Sequence, residues 1–130
     1  MAGKIVADQL EHSTAGSLDT QYVVNGSAKA WVNFNGTASG ATARDSFNNS
    51  SMTDSSTGNH SVNFSNNFSN ANYASVAALG NNDASNPGGQ GTVTVGHTTS
   101  GLSSTETTNS ANGNNNDWAQ MSHTSHGDLA

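Results

Sequence analysis

Five histidines, nine carboxylates and a dense supply of Asn, Ser and Thr are the side chains of this 130-residue chain that could do chemistry. His123 and His126 are spaced i, i+3, which on a strand sends them to opposite faces. A strand-borne metal site would want an H-x-H pair sharing one face, and the chain has none. His12, His60 and His97 each stand beside a turn or strand end and read as surface residues. No metal ligand and no cofactor is therefore expected. The carboxylates Asp8, Glu11, Asp19, Asp45, Asp54, Asp83, Glu106, Asp117 and Asp128 are scattered. Glycoside hydrolysis needs two of them converging across a cleft, one with a raised pKa, and no spacing here points to such a pair. Asp54 and Asp117 sit in Asn/Ser-rich turns, where an Asx-turn is their ordinary role. Asn81-Asn82-Asp83 and Asn114-Asn115-Asn116-Asp117 are oxygen-rich but lack the acidic density of a calcium loop. Serines are plentiful, yet no G-x-S-x-G elbow occurs. No catalytic residue is expected, and the chain reads as a non-enzyme.

The aromatic residues offer more. Trp31, Tyr73 and Trp118 lie among Asn, Ser and Gly. A ring exposed in such company stacks on the apolar face of a sugar while amides read its hydroxyls. The alternative is that these rings pack against another subunit. All three are candidates for ligand or subunit contact.

The elements that must position them read as strands. Val32 and Phe34 alternate with Trp31 and Asn33 over residues 28–35, which end at Asn35-Gly36. Val62 and Phe64 repeat the V-x-F spacing over 60–65. Period-two alternation bounded by turn residues is the signature of half-buried strands. Residues 20–24 read as a strand closed by an Asn25-Gly26 hairpin signal. Further strands are expected over 43–53, 73–79, 92–97 and 118–126, with a Ser/Thr-rich edge segment over 98–108. Residues 4–10 leave strand and helical turn open. Turns or loops fill 11–17, 37–42, 54–59, 66–72, 80–91 and 110–117. Many short strands at regular spacing predict an all-β fold, a small antiparallel β-sandwich-like module with long polar loops.

Leu, Ile, Val and Phe supply 18 of 130 residues, below the roughly 20% at which disorder becomes a competing reading. Only 9% of residues are charged, and the net charge is −6. The polar mass consists of turn formers rather than solvating charges, which favours a folded chain. So thin an apolar supply predicts assembly, with identical neighbours providing the missing buried surface. Three cations, Lys4, Lys29 and Arg44, cannot form a nucleic-acid footprint. Binding to anionic membranes is disfavoured for the same reason. No run reaches the length of a membrane span, and the N-terminus lacks a signal peptide's apolar region. The absence of cysteine excludes disulfides and thiolate metal sites.

Several blocks of the chain are similar to a known group. They are L-E-H-S-T-A-G-S-L-D-T-Q-Y-V-V-N-G-S-A-K-A-W-V-N-F-N-G (10–36), S-F-N-N-S-S-M-T-D (46–54), H-S-V-N-F (60–64), A-N-Y (71–73) and H-G-D-L-A (126–130). With them the chain resembles the small β-rich fibre and appendage modules of tailed bacteriophages, especially marine ones. It departs from them at Asn49, where an apolar residue is usual, at Ser55-Ser56, and in the polar run 118–124. The resemblance implies a non-enzymatic virion component, typically homotrimeric. Such a component is made in the host cytoplasm and displayed on the virion surface. Its expected partners are itself, other tail or capsid proteins, and a host surface glycan. Residues 1–25 would serve attachment and oligomerisation and 26–130 would form the sandwich-like module. Capsid decoration is the alternative role, and a glycan depolymerase a weaker one.

Overall fold

The computed structural model describes residues 3–81, 91–108 and 113–130. Residues 82–90 of the expected loop 80–91 and residues 110–112 of the expected loop 110–117 fall outside the described residues, and Asp83 and Pro87 with them. Among the described residues ten strands and one helix follow in order. They are β1 (Gln9–His12), β2 (Gly16–Asp19), α1 (Thr20–Gly26), β3 (Ala30–Asn35), β4 (Thr42–Phe47), β5 (Asn49–Ser56), β6 (Asn59–Phe64), β7 (Ala74–Gly80), β8 (Gly91–Thr98), β9 (Gly101–Thr108) and β10 (Gln120–His126). The all-β expectation holds. Two four-stranded antiparallel sheets, ordered β4-β3-β10-β7 and β5-β6-β9-β8, bury one face each, and β1-β2 forms a separate hairpin.

The V-x-F pattern explains the core. Val32 and Phe34 from β3, with Met121 from β10, meet Val62 and Phe64 from β6 and Leu102 from β9. Phe34 and Met121 are fully buried. Phe68 and Tyr73 close one end, their rings stacked at 4.1 Å, with Phe64 tilted against Phe68 at 5.0 Å. Large rings thereby compensate for few aliphatic side chains, since each aromatic residue buries roughly 150–250 Å².

Three expectations are corrected. Residues 20–24 are helical, not a strand: Ser27 N–H donates to Val23 O at 3.1 Å, so Asn25-Gly26 ends a helix instead of turning a hairpin. The same dipeptide serves either purpose, because glycine tolerates both the turn and the helix terminus. The segment 43–53 is two strands in different sheets. Asn48 turns between them at φ 56°. This left-handed geometry is tolerable for Asn, and here the side chain stabilises it by pairing both ways with the backbone of Asn66. The Ser/Thr-rich β9 is not at an edge; it lies between β6 and β8. β10 is likewise central, and its alternation buries Met121, His123 and Ser125.

The N-terminal unit differs in character. β1, β2 and α1 are tied together by Thr20, which donates to the carbonyls of Asp8 and Ala7. No residue of α1 is buried. The unit meets the sandwich near His126, whose Nδ1 lies 3.1 Å from Gly26 O. No helix among the described residues is long and apolar enough to cross a membrane.

Candidate functional site

Two places collect polar and aromatic groups, one inside the sandwich and one on its surface. Inside, the alternation of β6 points His60 inward opposite Ser104 of β9, and Glu106 lies two residues further along the same face. His60 Nδ1 and Glu106 Oε2 are 2.8 Å apart, and both side chains are sealed from solvent. The Ser104 hydroxyl donates to the other carboxylate oxygen. The Phe34 ring stands between two imidazoles. His60 meets it edge-on at 5.3 Å, and His123 stacks on it at 5.6 Å.

The two histidines titrate in opposite senses. The hydrogen bond to Glu106 raises the His60 pKa, burial opposing it, and the charges of Glu106, Asp54 and Asp117 add to the rise. For His123 burial dominates and lowers the value from 6.5 to about 4. Glu106 pulls the other way, and His60 adds to the lowering. Neither nitrogen of His123 has a hydrogen-bond partner, nor does His60 Nε2.

Hydroxyl, carboxylate and imidazole invite comparison with a catalytic triad, but their order differs. A nucleophile must give its proton to the imidazole. Here Ser104 donates to the carboxylate, and the imidazole meets that carboxylate through Nδ1. The cluster is a buried, hydrogen-bonded His–Glu pair that joins β6 to β9. Its neighbour His123 lies across the Phe34 ring on the other sheet. His60 was expected at the surface, and this too is corrected. The Glu106 carboxylate compensates its burial, and a partner 46 positions away is not legible in the sequence.

The remaining histidines serve locally. His12 Nδ1 accepts from the backbone of Ala15, and His97 packs on Tyr73 with ring centroids 4.4 Å apart. His123 points inward while His126 lies on the opposite, solvent-facing side of β10, as their spacing requires. Among the described residues no three metal-ligating side chains come together.

The three aromatic candidates separate. Tyr73 is interior: its hydroxyl donates to Gly101 O at 2.7 Å, and burial pushes its pKa up to about 12. Trp118 is also interior, and its backbone carbonyl accepts from Gly36 N–H at 2.9 Å. Neither ring is offered to a ligand. Trp31 is 37% exposed on the outer face of the β4-β3-β10-β7 sheet.

The strand register gives Trp31 company that the sequence did not reveal. Trp31 is opposite Phe47 on β4 and Thr124 on β10, and Thr124 is opposite Val76 on β7. Directly opposed residues share a face. The row Phe47-Trp31-Thr124-Val76 therefore crosses the whole sheet, with Phe47 54% and Val76 69% exposed.

The adjacent row reads Asp45-Asn33-Ser122-Ala78. Asn33 Nδ2 donates to Ser122 Oγ at 2.9 Å. A bulge between Asn33 and Phe34 leaves Arg44 as an extra residue of β4. Its guanidinium spans the sheet, donating to Phe34 O at 2.8 Å, Ala119 O at 2.6 Å and Gln120 Oε1 at 3.1 Å. The bulge also shifts the alternation of β4, so the face Phe47 occupies could not be read from spacing alone.

Trp31 and Phe47 thus form an apolar platform on a strand pair, and the next row brings an amide, a hydroxyl and a carboxylate beside it, with the Arg44 guanidinium anchored beyond that row. Such a face can stack a ring and pair its polar substituents. No protein-family model, curated protein or solved structure matches the chain significantly. What the fold and this face define is a class: an antiparallel all-β module with an exposed aromatic row.

Proposed function

We propose that the chain is a non-enzymatic, homotrimeric component of a tailed-phage virion, a fibre-type surface appendage that attaches to host-surface glycan. The observation that carries this reading is the solvent-facing row containing Trp31 and Phe47, beside Asn33, Asp45 and Ser122. Saccharides stack on aromatic rings, and their hydroxyls need donors and acceptors already held in place. Asn33, pinned to Ser122, and Arg44, pinned to two carbonyls, are held in this way. A single such face is a weak site. Three copies on one appendage would raise its effective strength by orders of magnitude through avidity. The interior polar cluster takes no part in this function; it organises the core.

The test is binding of the purified chain to host-cell surface polysaccharide, compared with Trp31→Ala and Phe47→Ala. Each variant should weaken binding about tenfold or more, while leaving the unfolding midpoint nearly unchanged because the rings are partly exposed. Undiminished binding by both variants would refute the assignment of this face.

Capsid decoration is the second reading, and the exposed apolar N-terminal unit supports it, since such a surface could clamp onto shell subunits. Counting copies on purified particles separates the two. Hundreds on the head would indicate decoration, and a few at the tail an appendage.

A further inference from the structure

Exposed large hydrophobic side chains concentrate in the N-terminal unit. Ile5, Val6, Leu10, Leu18, Tyr22, Val23 and Val24 are each between 41% and 92% exposed, whereas the rest of the chain exposes Trp31, Phe47, Val76 and Leu129 among its described residues. The unit has no interior of its own. α1 is seven residues long, its N-cap residue Asp19 makes no side-chain capping bond, and it buries nothing. Isolated helices below about 12 residues are marginal in water. A helix this short persists only when an apolar face packs against something.

We propose that residues 5–24 are the contact between copies of this chain, and that the occupant of each apolar groove is the N-terminal unit of a second copy. The proposal rests on the assembly part of the reading above and names its interface. Two observations bear on it, one setting the scale of the contact and the other selecting a second copy over a different protein.

The first is area. Large side chains each bury on the order of 100–200 Å², so this set amounts to several hundred Å² per copy, the scale of the roughly 800 Å² per partner in a standard interface.

The second is charge. The groove is lined by Ile5, Val6, Leu10, Val23 and Val24, with Lys4 at its border. A separate recess on the same unit is lined by Asp8, Gln9, Asp19, Thr20 and Gln21. Lys29 is bound to Val24 O and Ser27, and Arg44 to carbonyls of the sheet. Among the described residues Lys4 is the cation without an intrachain partner. The unit therefore carries both halves of a match, an apolar groove edged by a free cation and a recess edged by carboxylates. A second copy supplies both at once. The body of an acidic partner would offer the carboxylates but no matching apolar surface. The charges set orientation and register, and the apolar side chains supply the strength.

The experiment is sedimentation equilibrium of the full chain at low and moderate salt, with circular dichroism to verify the β fold. The wild-type chain should sediment as an oligomer. Val23→Ser with Val24→Ser touches no buried residue, so the fold should survive while association weakens by roughly a hundredfold. Lys4→Glu should weaken association chiefly at low salt, and mixing it with Asp8→Lys should restore a mixed oligomer that neither variant forms as well alone. A monomeric wild-type chain, or an unchanged oligomer mass in the valine double variant, would overturn the proposal. Either result leaves glycan binding at Trp31 intact as a separate question. Loss of glycan binding with the oligomer preserved would strike the adhesion reading alone.

Discussion

Replacing His123 by Leu should remove a specific part of the protein's acid sensitivity. His123 is 2% exposed, stacked on Phe34, and holds two nitrogens without partners. The charged and titratable groups acting on it are Glu106 and His60 across the core. Its pKa is lowered to about 4 when folded, against 6.5 in the unfolded chain. Between these values the unfolded state binds the extra proton, so stability falls as pH falls. At about 1.4 kcal/mol per pH unit, the interval from 6.5 down to about 4 amounts to roughly 3 kcal/mol lost. That is a large share of a small domain's typical 5–15 kcal/mol. His60 works in the other direction. Its raised pKa gives stability that is fully present below 6.5 and is lost as pH rises through the folded value. Wild-type stability should therefore peak between the two limbs.

The assay is urea unfolding at intervals from pH 4 to pH 9, followed by circular dichroism. His123→Leu should be as stable as wild type at pH 7 or more so, by about 1–2 kcal/mol, because two unsatisfied buried nitrogens are removed. The difference should widen by roughly 3 kcal/mol on acidification to pH 4. Wild type and variant losing stability in parallel over pH 6.5 to 4 would refute the reasoning and mean that His123 is not held neutral by burial.

Glu106→Gln should destabilise the chain by about 3 kcal/mol at pH 7, since it breaks a buried pair and leaves His60 without its anion. The same variant should flatten the alkaline limb of the urea profile. Gly58→Ala should lower the thermal midpoint, at a cost of about 2 kcal/mol or more. Gly58 has φ +66°, and an added Cβ would meet the Glu106 carbonyl at 2.5 Å and the Asn116 nitrogen at 2.7 Å. Gly113→Ala is the control: its φ is also positive, but nothing stands near its Cβ position. It should therefore cost only the strain of the left-handed backbone, a smaller loss by the same calorimetric measurement.

Much of the sandwich is written locally. The alternation Trp31-Val32-Asn33-Phe34 decides which face of β3 is buried, because successive side chains on a strand must diverge. The same parity places His123 and His126 on opposite sides of β10. The shortage of aliphatic residues shows in the sequence as well, and the structure answers it with stacked rings at Phe64, Phe68 and Tyr73. What the sequence could not decide is whatever depends on a distant partner. β9 reads as a polar edge segment because Ser104 and Glu106 are polar, and nothing in the polar β10 marks it as central, yet both lie at the centre of their sheets. A buried carboxylate is affordable only opposite His60, and that pairing exists only after β6 and β9 align. Residues 20–24 read as a strand from composition, yet in the fold they belong to a helix whose end is held by Ser27 N–H on Val23 O. Tyr73 and Trp118 looked like surface rings among Asn and Ser until tertiary packing enclosed them. The surface row was decided last, since Phe47, Trp31 and Val76 share a face only through the register of four strands and the bulge at Arg44. Alternation along one strand is a property of the chain; which strands become neighbours is a property of the fold.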